Sequence, residues 1–329
     1  EHVHGTGIVS HRAIEVRTKT NPIFVDVNRR YSIGSGCLQN LCGYPIETTL
    51  FEPPVCCSRR FYRVPAVYNP ATAQTSRIPR CMRSTVNYMS PKTDQPEIYL
   101  FEPPPGTPKQ YPTVGHVLQI ENGRDDPDAF SLDRQGFVFR HDPGSVIADF
   151  YDAGMIEDRY YEKVADLIKR ETGASDVVIF DRTYRSSREL LPGESDANQP
   201  VFNAHSDYTN ESGPGRAMDV AGDLHARAIE EQRYWIVNVW RPINGTVEQK
   251  PLALCDIRSM HAEDFVAARI RFPNGRDGGV MAIRYRDAHR WVYFPKMSVE
   301  EVLLLKSFDP RAKGARRFGA HCAVDEPDM

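Results

Sequence analysis

From residue 201 to residue 294 the chain is a succession of short strand-like runs separated by turn signals. This pattern narrows the fold more than any other feature of the sequence. Val201–Ala204 leads into His205-Ser206-Asp207. Tyr234–Trp240 (YWIVNVW), Pro251–Asp256 (PLALCD), Val280–Tyr285 (VMAIRY) and Trp291–Phe294 (WVYF) follow. Each is short and rich in β-branched and aromatic residues, as strands of a sandwich are. The spacing predicts a mainly β fold, a β-sandwich or jelly roll, with flanking helices. The clearest helix is expected over Ile156–Glu171, where Ile156, Tyr160, Val164, Leu167 and Ile168 share a face and Thr172-Gly173 closes the run. A shorter one is expected over Asp223–Glu231. Val177–Asp181 (VVIFD) reads as a buried strand, and Phe130–Phe139 as a strand, a turn at Gln135-Gly136 and a second strand. Ser298-Val299-Glu300-Glu301 matches a capping box and predicts a helical turn, although Val302–Leu305 reads equally well as strand.

The front of the chain differs. Residues 1–81 are irregular in pattern, with Gly, Pro, Cys and Arg scattered through them, so they are expected to form a segment apart from a core over 82–329. One stretch inside them, His11–Arg17 (HRAIEVR), alternates polar and apolar side chains and predicts a half-buried strand. LFEPP occurs at residues 50–54 and again at 100–104, the second inside the proline-rich span Pro96–Pro112; both read as extended surface segments.

Charge and cysteine content exclude several classes. With 41 basic against 44 acidic residues, net charge −3, nothing favours a nucleic-acid or membrane partner. No apolar run is long enough to span a bilayer, and Glu1–Gly7 lacks the apolar stretch of a secretory signal. The seven cysteines are odd in number and contain no CxxC pair, which argues against a zinc ribbon and for reduced thiols in a cytoplasmic protein.

The sharpest local feature is NAHSDYT at residues 203–209. In an extended chain the side chains of His205 and Asp207 fall on the same side. An imidazole nitrogen and a carboxylate oxygen can then reach one metal ion. A second, distant histidine would complete the two-histidine, one-carboxylate face that holds non-haem Fe(II) in oxygenases and leaves coordination positions open. His289 (AHRW) and His321 (GAHCAV) are the candidates. With 10 histidines, one HxD by chance is unsurprising, and a strand-end turn in which Asp207 accepts backbone N–H bonds explains the motif equally well.

The stretch from about Met82 to Pro327 resembles a family of fungal and bacterial Fe(II)/2-oxoglutarate-dependent oxygenases that includes gibberellin desaturase and relatives of a cephamycin methoxylase subunit. The matching segments keep the family's order: FSLDRQGF, RYYEKVADLIKRETGA with VVIFDRTYR, NAHSDYT, YWIVNVWRPINGTVEQKPLALCD, HRWVYFPKM and EVLLLKSFDPRAKGARRFGAHCAVDEP. The resemblance implies a double-stranded β-helix core. It also implies a dioxygenase that uses Fe(II) and 2-oxoglutarate to hydroxylate, desaturate or cyclise a small organic molecule in secondary metabolism. His205 and Asp207 match the family's metal ligands. His321 matches its distal histidine and is preferred to His289, whose alternative is a packed imidazole beside Trp291.

One departure stands out. After the distal histidine the family continues into a strand resembling RESIEVR, whose basic residue pairs with the far carboxylate of 2-oxoglutarate. Here the nearest match is HRAIEVR at residues 11–17, so the order looks circularly permuted. A strand swapped within a homodimer would look the same. The carboxylate anchor is then expected at Arg17, which the IEVR match keeps, or at Arg12. Arg241, in WRPI, is a third candidate for the co-substrate pocket, with an ion pair to Asp256 or Glu248 as its structural alternative. Tyr208 and Thr209 are candidate pocket residues; Trp235, Trp240 and Trp291 are expected in the core, and Arg311–Arg317 in a solvated loop. The misplaced strand also leaves open a catalytically silent relative acting as a binding partner, or an iron enzyme with a different electron source.

Overall fold

The computed structural model describes residues 7–15 and 24–26 by their backbone, and residues 81–187, 199–221 and 225–325 in full. The chain divides into two compact units, one formed by Glu1–Arg29 with Pro79–Met329 and one by Arg30–Ile78; every described residue belongs to the first. Arg17 lies outside the described residues, as does the LFEPP copy at 50–54.

The described residues form two sheets, with strands numbered along the chain. The first runs β1 (Gly7–Glu15), β7 (Val177–Ser186), β2 (Phe24–Asp26), β9 (Trp235–Pro242), β14 (Glu301–Phe308), β6 (Phe137–His141), and β1 also pairs with β2 and β9. The second holds β3 (Cys81–Met89), β5 (Thr113–Asn122), β13 (Trp291–Tyr293), β10 (Leu252–Cys255), β15 (His321–Ala323), β8 (His205–Ser206), β12 (Asp277–Ile283), β11 (Phe265–Arg271) and β4 (Glu97–Tyr99), in that order. From β7 the chain passes back and forth between the sheets: β7 first, β8 second, β9 first, β10 to β13 second, β14 first and β15 second. That winding is the jelly roll the strand spacing predicts.

Strand β9 is buried over all eight residues. The run YWIVNVW has no polar face because neither face meets water. Trp235, Val237 and Val239 pack with Ile156, Tyr160, Val164, Leu167 and Ile168 of the helical segment outside the sheet. Ile236 and Trp240 join clusters that include residues of the second sheet. The helical segment comprises α1 (Ala153–Met155), a π turn at Ile156–Tyr160 and α2 (Tyr161–Thr172). Gly173 ends it at φ 73, with its N–H on the Lys169 carbonyl at 2.8 Å.

Two expected elements formed differently. Phe130–Phe139 is a turn followed by β6 alone, because the Gln135 side chain accepts from the Ser131 N–H (3.1 Å) and donates to the Ala129 carbonyl (2.9 Å), closing the first half into a loop. At Ser298–Glu301 the strand reading wins. The Glu301 carboxylate does accept the Ser298 N–H at 2.9 Å, but Arg124 grips its two oxygens at 2.8 and 2.7 Å and the residue opens β14. α3 (Ser212–Ala221) was not anticipated, whereas α4 (Ala226–Glu230) lies within the expected short helix. No helix among the described residues is long and apolar enough to cross a membrane.

Arg241 of β9 is wholly buried, and its ion pair is made with Asp142 at 2.5 Å, not with Asp256 or Glu248. Those carboxylates are engaged by Arg258 and Lys296. Arg241 also donates to the Val299 carbonyl (2.8 Å) and the Asp142 carbonyl (3.2 Å), and lies 5.9 Å from the Tyr160 ring centre. It fastens sheet, loop and helix together on the face away from the second sheet. Asp142→Ala would leave that guanidinium buried without its counter-charge, at a cost of about 3–5 kcal/mol. We expect a large fall in the urea midpoint, partly restored when Arg241→Met is added.

Candidate metal centre

His205 and His321 are direct cross-strand partners in the antiparallel β8–β15 ladder, so their side chains share a face and meet. Their ring centres are 4.5 Å apart, tilted at 52°. Asp207 follows His205 by two residues and reaches the same space. Its carboxylate oxygens lie 3.6 Å from His205 Nε2 and 3.8 Å from His321 Nε2. One donor atom from each of the three falls within 4.8 Å of the others, which is close enough for one metal ion to bind all three.

The surrounding bonds orient these donors. His205 Nδ1 lies 2.8 Å from the Asn203 carbonyl and His321 Nδ1 3.4 Å from the Gly319 carbonyl. A carbonyl only accepts, so each Nδ1 carries the hydrogen and each Nε2 presents a lone pair inward. Ser307 of β14, in the facing sheet, donates its hydroxyl to Asp207 Oδ2 at 3.1 Å. Gly319 permits the close approach: a Cβ there would stand 2.5 Å from the Lys306 carbonyl oxygen. The donor set of two imidazoles and a buried carboxylate fits a divalent first-row metal.

The cluster opens into a cleft. Thr183 and Arg185 of β7, Asn238 and Trp240 of β9, and Leu252 and Ala323 of the facing sheet line it. Pro200, Val201 and Lys250 complete its rim with the three donors. Trp240 therefore serves both core and cleft. Ser307, Arg185 and Lys250 were not singled out from the sequence. Nothing local marks them; a serine and a lysine interrupting the apolar run VLLLKSF were the only hint for β14.

The remaining candidates lie elsewhere. Arg241 sits on the opposite face of β9 from Asn238 and Trp240, locked to Asp142. His289 is buried at another place, with Nε2 on Asp264 Oδ2 at 3.0 Å and Nδ1 on the Tyr88 hydroxyl at 3.2 Å, and its ring stacks on Tyr88. Trp291 Nε1 donates to the same hydroxyl at 2.7 Å. Tyr208 packs in the core, and Thr209 accepts the N–H groups of Glu211 and Ser212 at the start of α3. Arg12 has a described backbone only. The β1 ladders place it across from Asp181 of β7 and Asp26 of β2, between the β1–β9 pairs His11–Val239 and Glu15–Trp235.

The YDMC family model, described as an oxidoreductase/YMDC permease-like domain, matches residues 86–329. A hydroxylase/desaturase, efuI, of Hormonema carpetanum is 30% identical over 225 residues, covering 62% of this chain and 75% of its own length. An alpha-ketoglutarate-dependent dioxygenase, phiK, of a fungal species is 30% identical over 207 residues, covering 60% and 73%. Among solved structures, the iron and alpha-ketoglutarate-dependent endoperoxidase NvfI superposes with a TM-score of 0.65 at 23% identity, covering 76% of this chain and 92% of that one.

Two predictions follow from these contacts. Ser307→Ala frees one Asp207 oxygen and should weaken divalent-metal affinity about 10–100-fold, read by calorimetry, with the fold intact. The second concerns Asp264. Burial alone would raise its pKa, but the bonds from Arg286, the His261 N–H and His289 outweigh burial and bring it to about 2. A carboxyl depressed in the folded state stabilises above the unfolded carboxylate range, and that stability is lost as pH falls towards about 2. Asp264→Asn should therefore flatten the decline in melting temperature between about pH 4 and pH 2.

Proposed function

The chain belongs to the YDMC family, and we propose that its His205–Asp207–His321 cluster holds the Fe(II) of a 2-oxoglutarate-dependent dioxygenase acting on a small organic molecule. The relatives named for this chemistry, hydroxylase/desaturases and dioxygenases, give the activity class. The observation that carries the residue assignment is the convergence of three donor atoms within 4.8 Å, with both histidine Nδ1 atoms facing carbonyls.

Fe(II) bound there, with 2-oxoglutarate as co-substrate, supplies the oxygen-activating chemistry that side chains lack. The protein's own residues do the rest. His205 and His321 present fixed Nε2 lone pairs, and Ser307 holds one Asp207 oxygen so that the other faces the metal. The buried carboxylate, 3% exposed, keeps bulk water from that edge. Trp240, Leu252 and Ala323 give the substrate an apolar wall, so that its position, set by packing, decides which C–H bond reacts.

Arg12 is the anchor we assign for the far carboxylate of 2-oxoglutarate. The β1–β7 ladder sets it across from Asp181, two residues before the cleft-lining Thr183, and this supports a position on the cleft-lining face of the first sheet. In this reading β1 is the family's last core strand supplied from the front of the chain, and the catalytically silent alternative loses the missing strand that motivated it. The enzyme would work in the cytoplasm on a secondary metabolite, by hydroxylation, desaturation or cyclisation.

Anaerobic titration with Fe(II) and then 2-oxoglutarate tests this. A visible charge-transfer band should appear in the parent protein and be absent in Asp207→Ala. Iron binding without the band would reject the co-substrate, and turnover retained by Asp207→Ala would reject the ligand set. Arg12→Met removes one charge-assisted contact, worth about 1.5–3 kcal/mol, so the band should need about 10–100-fold more 2-oxoglutarate.

A further inference from the structure

Tyr88 of β3 is wholly buried, and its hydroxyl sits in a line of polar groups that the proposed reaction leaves unused. Trp291 Nε1 only donates, so its 2.7 Å bond delivers a hydrogen to the phenol oxygen. The phenol's own hydrogen is then aimed at His289 Nδ1, 3.2 Å away. That nitrogen can accept because the ring is neutral and carries its hydrogen on Nε2, which faces Asp264 Oδ2 at 3.0 Å. Burial lowers the His289 pKa, and Arg286 keeps Asp264 ionised with bonds of 2.7 and 2.9 Å. The line therefore runs one way, from indole to phenol to imidazole to carboxylate. Burial also pushes the Tyr88 phenol up, so at neutral pH it holds its proton. An oxidised phenol does not: once an electron leaves, the proton goes to the nearest base. Here that base is an imidazole already braced by a carboxylate to carry the charge.

A second tyrosine repeats the arrangement at the surface. The Tyr285 ring centre lies 5.2 Å from that of Tyr88, and the residue is 36% exposed. Its hydroxyl donates to Asp287 Oδ1 at 2.5 Å, and its ring stacks on His116 at 3.6 Å. On the inner side the Trp291 ring centre is 6.2 Å from that of Tyr88. Trp291 pairs with Cys255 of β10, and Leu254 beside it pairs with His321. Two strand spacings, about 10 Å, thus separate the indole's strand from that of the candidate ligand. Trp291, Tyr88, Cys255 and Cys322, the residue after His321, pack in one core cluster. Tyr234, buried in the same cluster, has a hydroxyl with no hydrogen-bond partner among the described residues. A base at the hydroxyl is thus not a general feature of buried tyrosines here.

We propose that Trp291, Tyr88 and Tyr285 form an electron relay between the metal centre and the protein surface. It would serve turnovers that begin without a bound substrate, and it rests on the cluster being the catalytic metal site. Consuming O2 and 2-oxoglutarate, with release of succinate and carbon dioxide, leaves the iron two electrons above Fe(II) and holding one oxygen atom. Two electrons and two protons return it to Fe(II) and release that oxygen as water. In each one-electron step Tyr88 is oxidised and its proton moves to His289. Tyr285 then reduces the Tyr88 radical, passing its own proton to Asp287 while the first returns from His289. An enediol reductant in solution, such as ascorbate, refills Tyr285 and supplies both electrons; the two protons reach the iron from solvent. Without this path the same oxidant would attack the cleft wall, of which Trp240 is part.

The test uses the full chain loaded anaerobically with Fe(II) and 2-oxoglutarate, mixed with O2 without organic substrate and frozen for electron paramagnetic resonance. The parent should show a tyrosyl radical signal that ascorbate removes. The signal should be lost in Tyr88→Phe and kept in Tyr234→Phe. In Tyr285→Phe, a surface change that leaves the buried network in place, the signal should persist in the presence of ascorbate. Peptide mapping after the same reaction should find Trp240 carrying an added oxygen more often in Tyr88→Phe and Tyr285→Phe than in the parent. Should Tyr88→Phe fail to fold, Tyr285→Phe still decides. 2-Oxoglutarate consumed with no tyrosyl signal would refute the relay, as would a signal unchanged in Tyr88→Phe or cleared by ascorbate in Tyr285→Phe. No consumption of 2-oxoglutarate at all would overturn the metal-site reading on which the relay depends, a different result from a missing radical.

Discussion

The candidate site depends on one backbone register. β8 is two residues long and β15 three, yet their pairing puts His205 directly opposite His321. Strands so short hold register only when flanked. β12 pairs Ala282 with His205 on one side, and β10 pairs Leu254 with His321 on the other. A slip of one residue in any of these ladders would turn a ligand to the other face of the sheet. The geometry of the candidate site is thus a property of a four-strand ladder. The side chains add only the final orientation, through the Asn203 and Gly319 carbonyls.

The ladder is in turn held against the first sheet. Ser307 reaches Asp207 across the gap, Ser206 Oγ meets the Ser307 carbonyl at 3.3 Å, and Gly319 lets the chain before β15 pass against the Lys306 carbonyl. All three contacts land on residues 306 and 307 of β14, which sits beside the doubly buried β9. Rigidity therefore passes from the helix-covered face, through β9 and β14, to the candidate ligands. Close packing of this kind leaves little room for the ligands to drift.

What could be read from the sequence follows how locally each feature is encoded. β9, β10 and β13 were legible because strands buried on both faces are continuous apolar runs. The Ile156–Glu171 helix was legible because its apolar spacing and terminal glycine are local. β3 was missed although Met82, Ser84, Val86 and Tyr88 alternate inward, because the buried Ser84, donating to the Asp325 carbonyl at 2.5 Å, breaks the apolar signal. β5 was missed because most of it is not buried. α3 contains Gly213, Pro214 and Gly215, poor helix formers. Thr209 caps it, and Gly213 lies where a Cβ would come within 2.9 Å of the Phe308 ring, so its helix depends on tertiary contact. The same holds in the site. His205 and Asp207 are two residues apart and visible as a motif. Arg185 and Ser307 sit on strands whose facing is set by partners distant in sequence, and Lys250 lies in the bend before β10. Arg241 was misjudged for that reason: the parity of β9 turns it to the helix side.

β1 carries this to its limit, because a sheet is indifferent to the order in which its strands are synthesised. What the gap beside β7 and β9 requires is a strand antiparallel to both, with a register that matches their pleat. Gly7–Glu15 meets that requirement, with Val9 opposite both Tyr184 and Arg241 and Ser10 opposite both Thr183 and Trp240. Thr183 and Trp240 both line the cleft, so the register also decides which residues of β1 share the cleft face. The entropic cost of bringing such distant segments together grows only slowly with the length between them. The backbone hydrogen bonds and the covered edge are gained in full whichever end of the chain supplies the strand. A strand displaced in the sequence can therefore fill the same position in space, provided its parity is kept. Parity is also what puts Arg12, across from Asp181, on the face that Ser10 shares with Thr183.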